Sequence, residues 1–268
     1  MDDKQIVVIT GGTKGIGKAL YDYFTQKGFT AIALSRNTEE DDTHFKCDVT
    51  DSDQVITVFN RIIERFNHID ILINNVGMGL GGAIEFLSYE WLDNQVKTNL
   101  MSAVYCTKAV LERTSPTQPL KIINISSIGA FGVQPFRTMY SVTKSAVNMF
   151  TVGMRQELHG SNVKMCSISL GDTQTDFGKH HPNDFRTSPR YGDRIQKSDD
   201  TSAKRSESNS KDKRMPVDKA AKKIFNVVMK KKYKAPTYCI GFKYKFLHLL
   251  SRFFTTEQIS EIVRKMFE

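Results

Sequence analysis

The chain has 268 residues, 40% of them hydrophobic and 25% charged, with a formal net charge of +9. That is enough material for one large domain with a buried core, and the balance excludes a disordered chain. Four scattered cysteines, Cys47, Cys106, Cys166 and Cys239, contain no C-x-x-C pair; this argues against a disulfide framework or a metal site and for a reducing, cytoplasmic setting.

Taken in chain order, two aspartates and a lysine precede only a short apolar run, so no signal peptide is expected. Residues 6–10 (IVVIT) read as a strand stopped by two glycines, and residues 15–27 as a helix ending at Gly28. Strands follow at 30–35 and 44–49. Residues 51–67 carry Val55, Val58, Phe59, Ile62, Ile63 and Phe66 at helical spacing. Next come a strand at 69–74, a long helical stretch from 88 to 114, a strand at 120–126, a helix from 140 to 159 and a strand at 163–170. Such alternation predicts an α/β fold, a parallel sheet with helices on both faces in a single domain over 1–268.

Residues 196–214 (QKSDDTSAKRSESNSKDKR) break the rhythm, with Ala203 as their one apolar residue. They bury too little surface to offset ordering entropy, so a mobile insertion or lid is expected. A helix at 216–232, a strand at 237–241 and two helices from 242 onward complete the chain. No apolar run is long enough to span a bilayer.

The positive charge is concentrated at the end. Residues 230–268 hold nine Lys/Arg against three Glu. Phe242, Phe246, Leu249, Leu250, Phe253 and Phe254 form a helical stripe with Lys243, Lys245 and Arg252 beside it. This basic extension (242–268) suits core or subunit packing, or an interfacial helix on anionic lipid. Nucleic acid is not expected, because no basic groove interleaved with stacking aromatics is visible.

Two motifs carry chemistry. TGGTKGIG (10–17) lies between a strand and a helix, and its Gly11, Gly15 and Gly17 allow a tight turn and close approach of a pyrophosphate. The first-turn amides of the helix would face that anion. At the end of the second strand, where a carboxylate would select NAD, stand Ser35 and Arg36. With Lys14 in the glycine turn, they favour the 2′-phosphate of NADP(H). The second motif is YSVTK (140–144), which sets a tyrosine and a lysine one helical turn apart.

Together with CDVTD (47–51), NNVG (74–77), Asn99 in KTNLMSA, NISS (124–127) and LGDTQT (170–175), these motifs make the chain resemble the short-chain dehydrogenase/reductase family over nearly its whole length. The resemblance implies a Rossmann-type, doubly wound sheet and a small-molecule substrate, and a homo-oligomer is expected. It assigns Tyr140 as general acid/base, Lys144 as the residue that favours the phenolate and binds the nicotinamide ribose, Ser127 as the holder of the carbonyl oxygen, and Asn99 as part of a water-linked proton relay. An ammonium one turn away would bring a phenol with a pKa of roughly 10 into a useful range. Ser126 competes with Ser127, but strand alternation points it the other way.

The resemblance also implies cofactor contacts at Gly11, Thr13, Lys14, Gly15, Ile16, Gly17, Ser35, Arg36, Asp48, Val49, Asn75, Val76, Gly77, Tyr140, Lys144, Gly171, Thr173 and Thr175. Val76 stands where the family has alanine, and Leu170 where it has proline. Met78, Leu80, Phe131, Val133, Phe136 and Phe177 should surround the reactive carbon, which suggests a lipid-, steroid- or acyl-like ketone or alcohol. The alternatives are a catalytically silent NADP(H) sensor and a peripheral membrane scaffold.

Overall fold

The computed structural model describes residues 4–177, 182–207, 214–251 and 253–267. Within the stripe named above, the side chains of Phe242, Lys243 and Leu250, and the whole of Arg252, lie outside the description.

Seven strands form one parallel sheet in the order β3-β2-β1-β4-β6-β7-β9. They are β1 (Ile6–Thr10), β2 (Thr30–Ser35), β3 (His44–Lys46), β4 (Ile71–Asn74), β6 (Leu120–Ser127), β7 (Val163–Leu170) and β9 (Thr237–Ile240). A separate short pair joins β5 (Gly81–Gly82) to β8 (Asn183–Asp184).

The apolar runs of the central strands follow from burial on both faces. In β1, Ile6 and Val8 enter one core and Val7 and Ile9 the other. The first core is closed by α2 (Ser52–Phe66) and α4 (Ser102–Arg113) through Val55, Val58, Phe59, Ile62, Cys106 and Val110. The second is closed by α1 (Gly15–Gln26) and α7 (Val217–Val228) through Leu20, Phe24, Ala221, Ile224 and Val228. Phe24 sits edge-on to both Phe29 and Phe225, at centroid separations of 5.1 and 4.9 Å. This ring cluster fixes α1 against α7.

The strand order reverses between β1 and β4, and the C-terminal ends of strands at such a point are the usual ligand position, a crevice in sheets of this kind. Helix α5 (Thr138–Glu157) packs on β6 and β7 beside that crevice.

Two expectations are corrected. The long helix expected at 88–114 is α3 (Tyr89–Val96) and α4 joined by a π turn over Lys97–Met101. Residues 196–214 are in good part helical, since α6 spans Arg194–Glu207; residues 208–213 lie outside the description. Helix α6 is anchored in its first turns. Ile195 and Ser198 are buried, and Ser198 Oγ donates to the Pro135 carbonyl at 3.3 Å. Along its exposed side Lys197 pairs with Asp193 at 2.8 Å and Gln196 with Asp200 at 2.9 Å, contacts that support a helix locally.

Two further helices, α8 (Phe242–Leu250) and α9 (Thr256–Phe267), follow β9. Among the described residues no helix is long and apolar enough to cross a membrane. All four cysteines are free and buried.

Phe24→Ala should cost about 3–5 kcal/mol, the range for emptying an aromatic site in a closed core. Urea denaturation at neutral pH measures it; a loss below about 1 kcal/mol would show that the ring cluster does not hold α1 in place.

Candidate active site

The glycine turn between β1 and α1 is shaped for close approach. A Cβ on Gly17 would lie 2.0 Å from the Gly11 carbonyl oxygen and 2.7 Å from Asn75 Nδ2, so no other residue fits there. Asn75 Nδ2 donates to the Thr10 carbonyl at 3.0 Å, and the amides of Asn75 and Val76 both donate to Thr10 Oγ1. These bonds staple the end of β4 to the end of β1.

The first turn of α1 has no side-chain cap and no carboxylate, and Lys14, at the N-cap, is exposed beside it. Uncapped amides, the positive end of the helix dipole and a lysine suit a pyrophosphate. Thr175 Cγ2 lies 3.5 Å from where a Gly15 Cβ would be, which brings the loop after β7 over the same turn. These residues fit a dinucleotide.

At the end of β2, Thr13 Oγ1 donates to Ser35 Oγ at 3.0 Å. Arg36 is largely exposed, with Asp48 Oδ2 3.9 Å from its guanidinium. Asp48 accepts from the amide and hydroxyl of Thr50 and lies at the rim, while Val49 is buried. Thr173 lies opposite Met215, whose amide donates to the Asp172 carbonyl and whose carbonyl accepts from the Gln174 amide, which fixes the loop carrying Thr175.

The four catalytic candidates converge at the C-terminal edge of β4 and β6. A Cβ on Gly77 would lie 3.1 Å from Lys144 Nζ and 3.4 Å from Asn99 Oδ1, so the bare backbone at Gly77 lets both side chains close in. Lys144 is buried, and its amine donates to the Ile125 carbonyl at 3.1 Å. Asn99 stands in the π turn, a geometry that recurs at functional sites. It accepts from the Met78 amide at 2.7 Å and donates to the Met78 carbonyl and to Thr143 Oγ1. Its side chain is therefore a brace for the NNVG turn.

A Cβ on Gly129 would meet Tyr140 Cε1 at 3.3 Å and Ser127 Oγ at 3.6 Å, which places Ser127 beside the Tyr140 ring. Ser126 is turned away, donating to the Lys144 carbonyl at 3.2 Å.

Electrostatics distinguish the acid from its neighbours. Burial raises the pKa of Tyr140, hydrogen bonding with Ser127 and the charge of Arg137 pull it back, and Asp172 adds a smaller push upward. Burial alone draws Lys144 down to about 8. Ser127 and Arg137 thus both favour the phenolate here, against the larger effect of burial.

Arg137 is a residue that sequence reasoning missed. It caps α5 three positions before Tyr140, and its charge also acts on Asp199 of α6. Gln95, which donates to the Met78 carbonyl at 3.1 Å, was likewise missed, because a lone helical glutamine carries no pattern. The buried chain Asn74–Asn124–Thr151 ties β4, β6 and α5 together, with bonds of 2.9 Å at each step. Its asparagines are legible only as parts of NNVG and NISS.

The expected apolar surround is partly assembled. Phe177 lies 6.2 Å from Tyr140 between ring centroids and is 43% exposed. Leu80 is buried, whereas Phe136, at φ 59, packs against Tyr191 instead of standing free. Phe131 meets His248 of α8 at 4.4 Å.

The family model of short chain dehydrogenases matches residues 5–184. The chain is 36% identical over 176 residues to a 3-ketodihydrosphingosine reductase of Bacteroides thetaiotaomicron, an alignment that spans 65% of each protein. It is 31% identical over 193 residues to an uncharacterized oxidoreductase of Schizosaccharomyces pombe, covering 69% of this chain and 66% of the other. Among solved structures, a short-chain dehydrogenase from Streptomyces avermitilis superposes with a TM-score of 0.80 at 22% identity, covering 99% of each chain. A closed serine dehydrogenase complexed with NADP+ gives 0.73 at 25% identity, over 88% of this chain and 94% of that one.

The buried lysine has a consequence for stability. Between pH 8 and 10.5 the unfolded chain keeps a proton that the folded chain has released at Lys144, so stability from this residue rises with pH across that window. Lys144→Met should lack the rise. Urea denaturation of both proteins at successive pH values checks this, and parallel profiles would show that Lys144 ionises like an exposed lysine.

Proposed function

The chain belongs to the short-chain dehydrogenase family of oxidoreductases, and from that premise we propose that it interconverts a ketone and a secondary alcohol on an apolar substrate with NADP(H). The observation that carries the reading is the convergence of Ser127, Tyr140, Lys144 and Asn99 around Gly77 and Gly129, beside a turn shaped for a pyrophosphate.

Bound NADPH would supply the hydride. The chain's own residues manage the oxygen and its proton. Tyr140, kept protonated by burial, donates to the carbonyl oxygen as charge develops there. Ser127, beside the phenol, holds that oxygen in place. Lys144 sits behind NNVG, where it can bind sugar hydroxyls and pass a proton toward Tyr140. Asn99 fixes the backbone of Met78, next to the Gly77 that leaves the lysine room. Phe177 over Tyr140 and Phe131 at the mouth favour an apolar substrate.

For the cofactor, Ser35 in place of a carboxylate and the exposed Arg36 and Lys14 favour a 2′-phosphate. NADP bound in a solved relative at 25% identity agrees with this choice. The outer face of α4 and α5, a shallow apolar groove between Val104, Leu111, Phe150 and Met154, suits self-association.

Turnover with a panel of ketones and NADPH, or alcohols and NADP⁺, followed optically, tests the reaction. Tyr140→Phe should keep the fold and cofactor binding yet lose about 10²–10⁴-fold or more in turnover. Near-normal activity in that variant would remove Tyr140 from the mechanism, and cofactor binding without turnover of any substrate would identify a sensor.

For cofactor choice, each charged contact to the 2′-phosphate contributes about 1.5–3 kcal/mol. Ser35→Asp combined with Arg36→Ala should shift preference toward NADH. Equal kinetic constants for NADH and NADPH in the unmodified protein would contradict the assignment.

A further inference from the structure

Helix α8 is joined to the rest of the chain at the edge of the site. No described side chain of α8 belongs to either core beside the sheet. Two of its residues one turn apart, Tyr244 and His248, reach the loops after β7 and β6 instead. His248 lies against Phe131, just after the end of β6. Tyr244 lies on two glycines. Strands β7 and β9 pair in parallel with Leu170 opposite Ile240, so Gly171 and Gly241 leave them side by side. A Cβ on Gly171 would be 1.7 Å from Tyr244 Cε2, and one on Gly241 would be 2.8 Å from Cδ2. The Tyr244 hydroxyl also accepts from the Asp172 amide at 3.2 Å.

What Tyr244 holds is the start of the stretch Gly171–Thr175. Thr173 Oγ1 donates to the Gly171 carbonyl at 3.1 Å, and the middle of the stretch is bonded to the backbone of Met215. Met215 is itself tied to the same place, since its Cε lies 3.7 Å from where a Gly241 Cβ would be. At the far end Thr175 Cγ2 comes 3.5 Å from the Cβ position of Gly15, and Thr175 Oγ1 accepts from the amide of Phe177. The stretch thus runs from the ring of Tyr244 to the turn shaped for a pyrophosphate. Gly241, at φ 107, supplies the bend that sets α8 over it.

We propose that Tyr244 is a positioning residue for the cofactor: its ring on Gly171 and Gly241, and its hydroxyl on the Asp172 amide, hold Gly171–Thr175 at the spacing from the glycine turn that a bound dinucleotide fills. This role presupposes the NADP(H) site proposed above. A tyrosine suits the task for two reasons. Its flat ring needs a backbone surface without Cβ atoms, which the paired glycines provide, and its hydroxyl reaches the next amide along the loop. A loop held in place beforehand loses less freedom when the ligand arrives, so the clamp acts on affinity.

Titration of the full chain with NADPH, and separately with NADH, followed by nicotinamide fluorescence, tests this without turnover. Tyr244→Ala should weaken binding about tenfold or more. Tyr244→Phe keeps the ring and should recover most of that loss, remaining about two- to tenfold weak for the missing hydrogen bond. Gly171→Ala drives a methyl group into the ring and should weaken binding as well. Added to Tyr244→Ala it should cost less than about twofold more, because the ring it displaces is gone. Thermal midpoints without cofactor confine the comparison to folded protein, and if Tyr244→Ala does not fold, Tyr244→Phe alone decides. Two results overturn the proposal: Tyr244 variants that lower the midpoint yet bind like the unmodified protein, or Gly171→Ala and Tyr244→Ala losses that multiply in the double variant. An unmodified protein that binds neither dinucleotide removes the cofactor site itself, and this role with it.

Discussion

A buried amine must be given acceptors, and the C-terminal edge of the sheet is organised around the one at Lys144. Its ammonium is costly in that environment, and burial draws its pKa to about 8. The Ile125 carbonyl at the end of β6 takes one hydrogen bond. Gly77 leaves room for the amine to approach β4, and Asn99 closes the other side of the same residue. To reach that place Asn99 leaves the regular helical path, which is what the π turn accomplishes. A glycine, an asparagine, a helix defect and a strand end thus answer one electrostatic demand.

The same arrangement separates the roles of Tyr140 and Lys144. A simple i, i+4 argument makes the ammonium the group that lowers the phenol. Ser127 and Arg137 pull the same way, and burial still leaves the phenol raised. A protonated tyrosine suits donation to a carbonyl oxygen, the direction of reduction. A lysine poised near 8 can exchange a proton near neutral pH in a way that an exposed lysine cannot. Arg137 adds a connection outward. It stands between Tyr140 and Asp199, so the charge felt by the phenol depends on where α6 lies.

Much of the fold was legible because the sheet is buried on both faces and announces itself in IVVIT, TAIALS and LKIINISS. The glycine turn and YSVTK were equally plain, since close backbone approach and a paired tyrosine and lysine leave few substitutes. What escaped were features that depend on neighbours distant in sequence. Helix α6 looked too polar to pack, because its anchoring through Ile195, Ser198 and the Pro135 carbonyl leaves little trace in composition. The π turn has no signature in KTNLMSA beyond the asparagine it serves. Arg137 carries no motif, and its link to Asp199 arises only when α5 and α6 are brought together. Phe136 was placed near the substrate by its position between Ser127 and Tyr140, and its positive φ and contact with Tyr191, which no pattern announces, also make it part of the loop's own support.

That support explains how a strained residue can be tolerated beside the site. A phenylalanine at φ 59 is unfavourable by itself and persists only where its surroundings over-determine it. Here the Phe136 carbonyl accepts from the Gly82 amide at 2.8 Å, and its ring meets Tyr191 edge-on. Gly82 in turn pairs with Asp184 across the small β5–β8 sheet, while Arg190 bonds Glu85 at 3.0 Å. The segment leading into α6 is therefore tied to the loop that carries Phe136, and that loop runs directly into Arg137 and the start of α5. A displacement of α6 would be felt at Phe136 through backbone bonds and at Tyr140 through Arg137. The loop before α5, the small β5–β8 pair and the segment before α6 therefore hold one another in place.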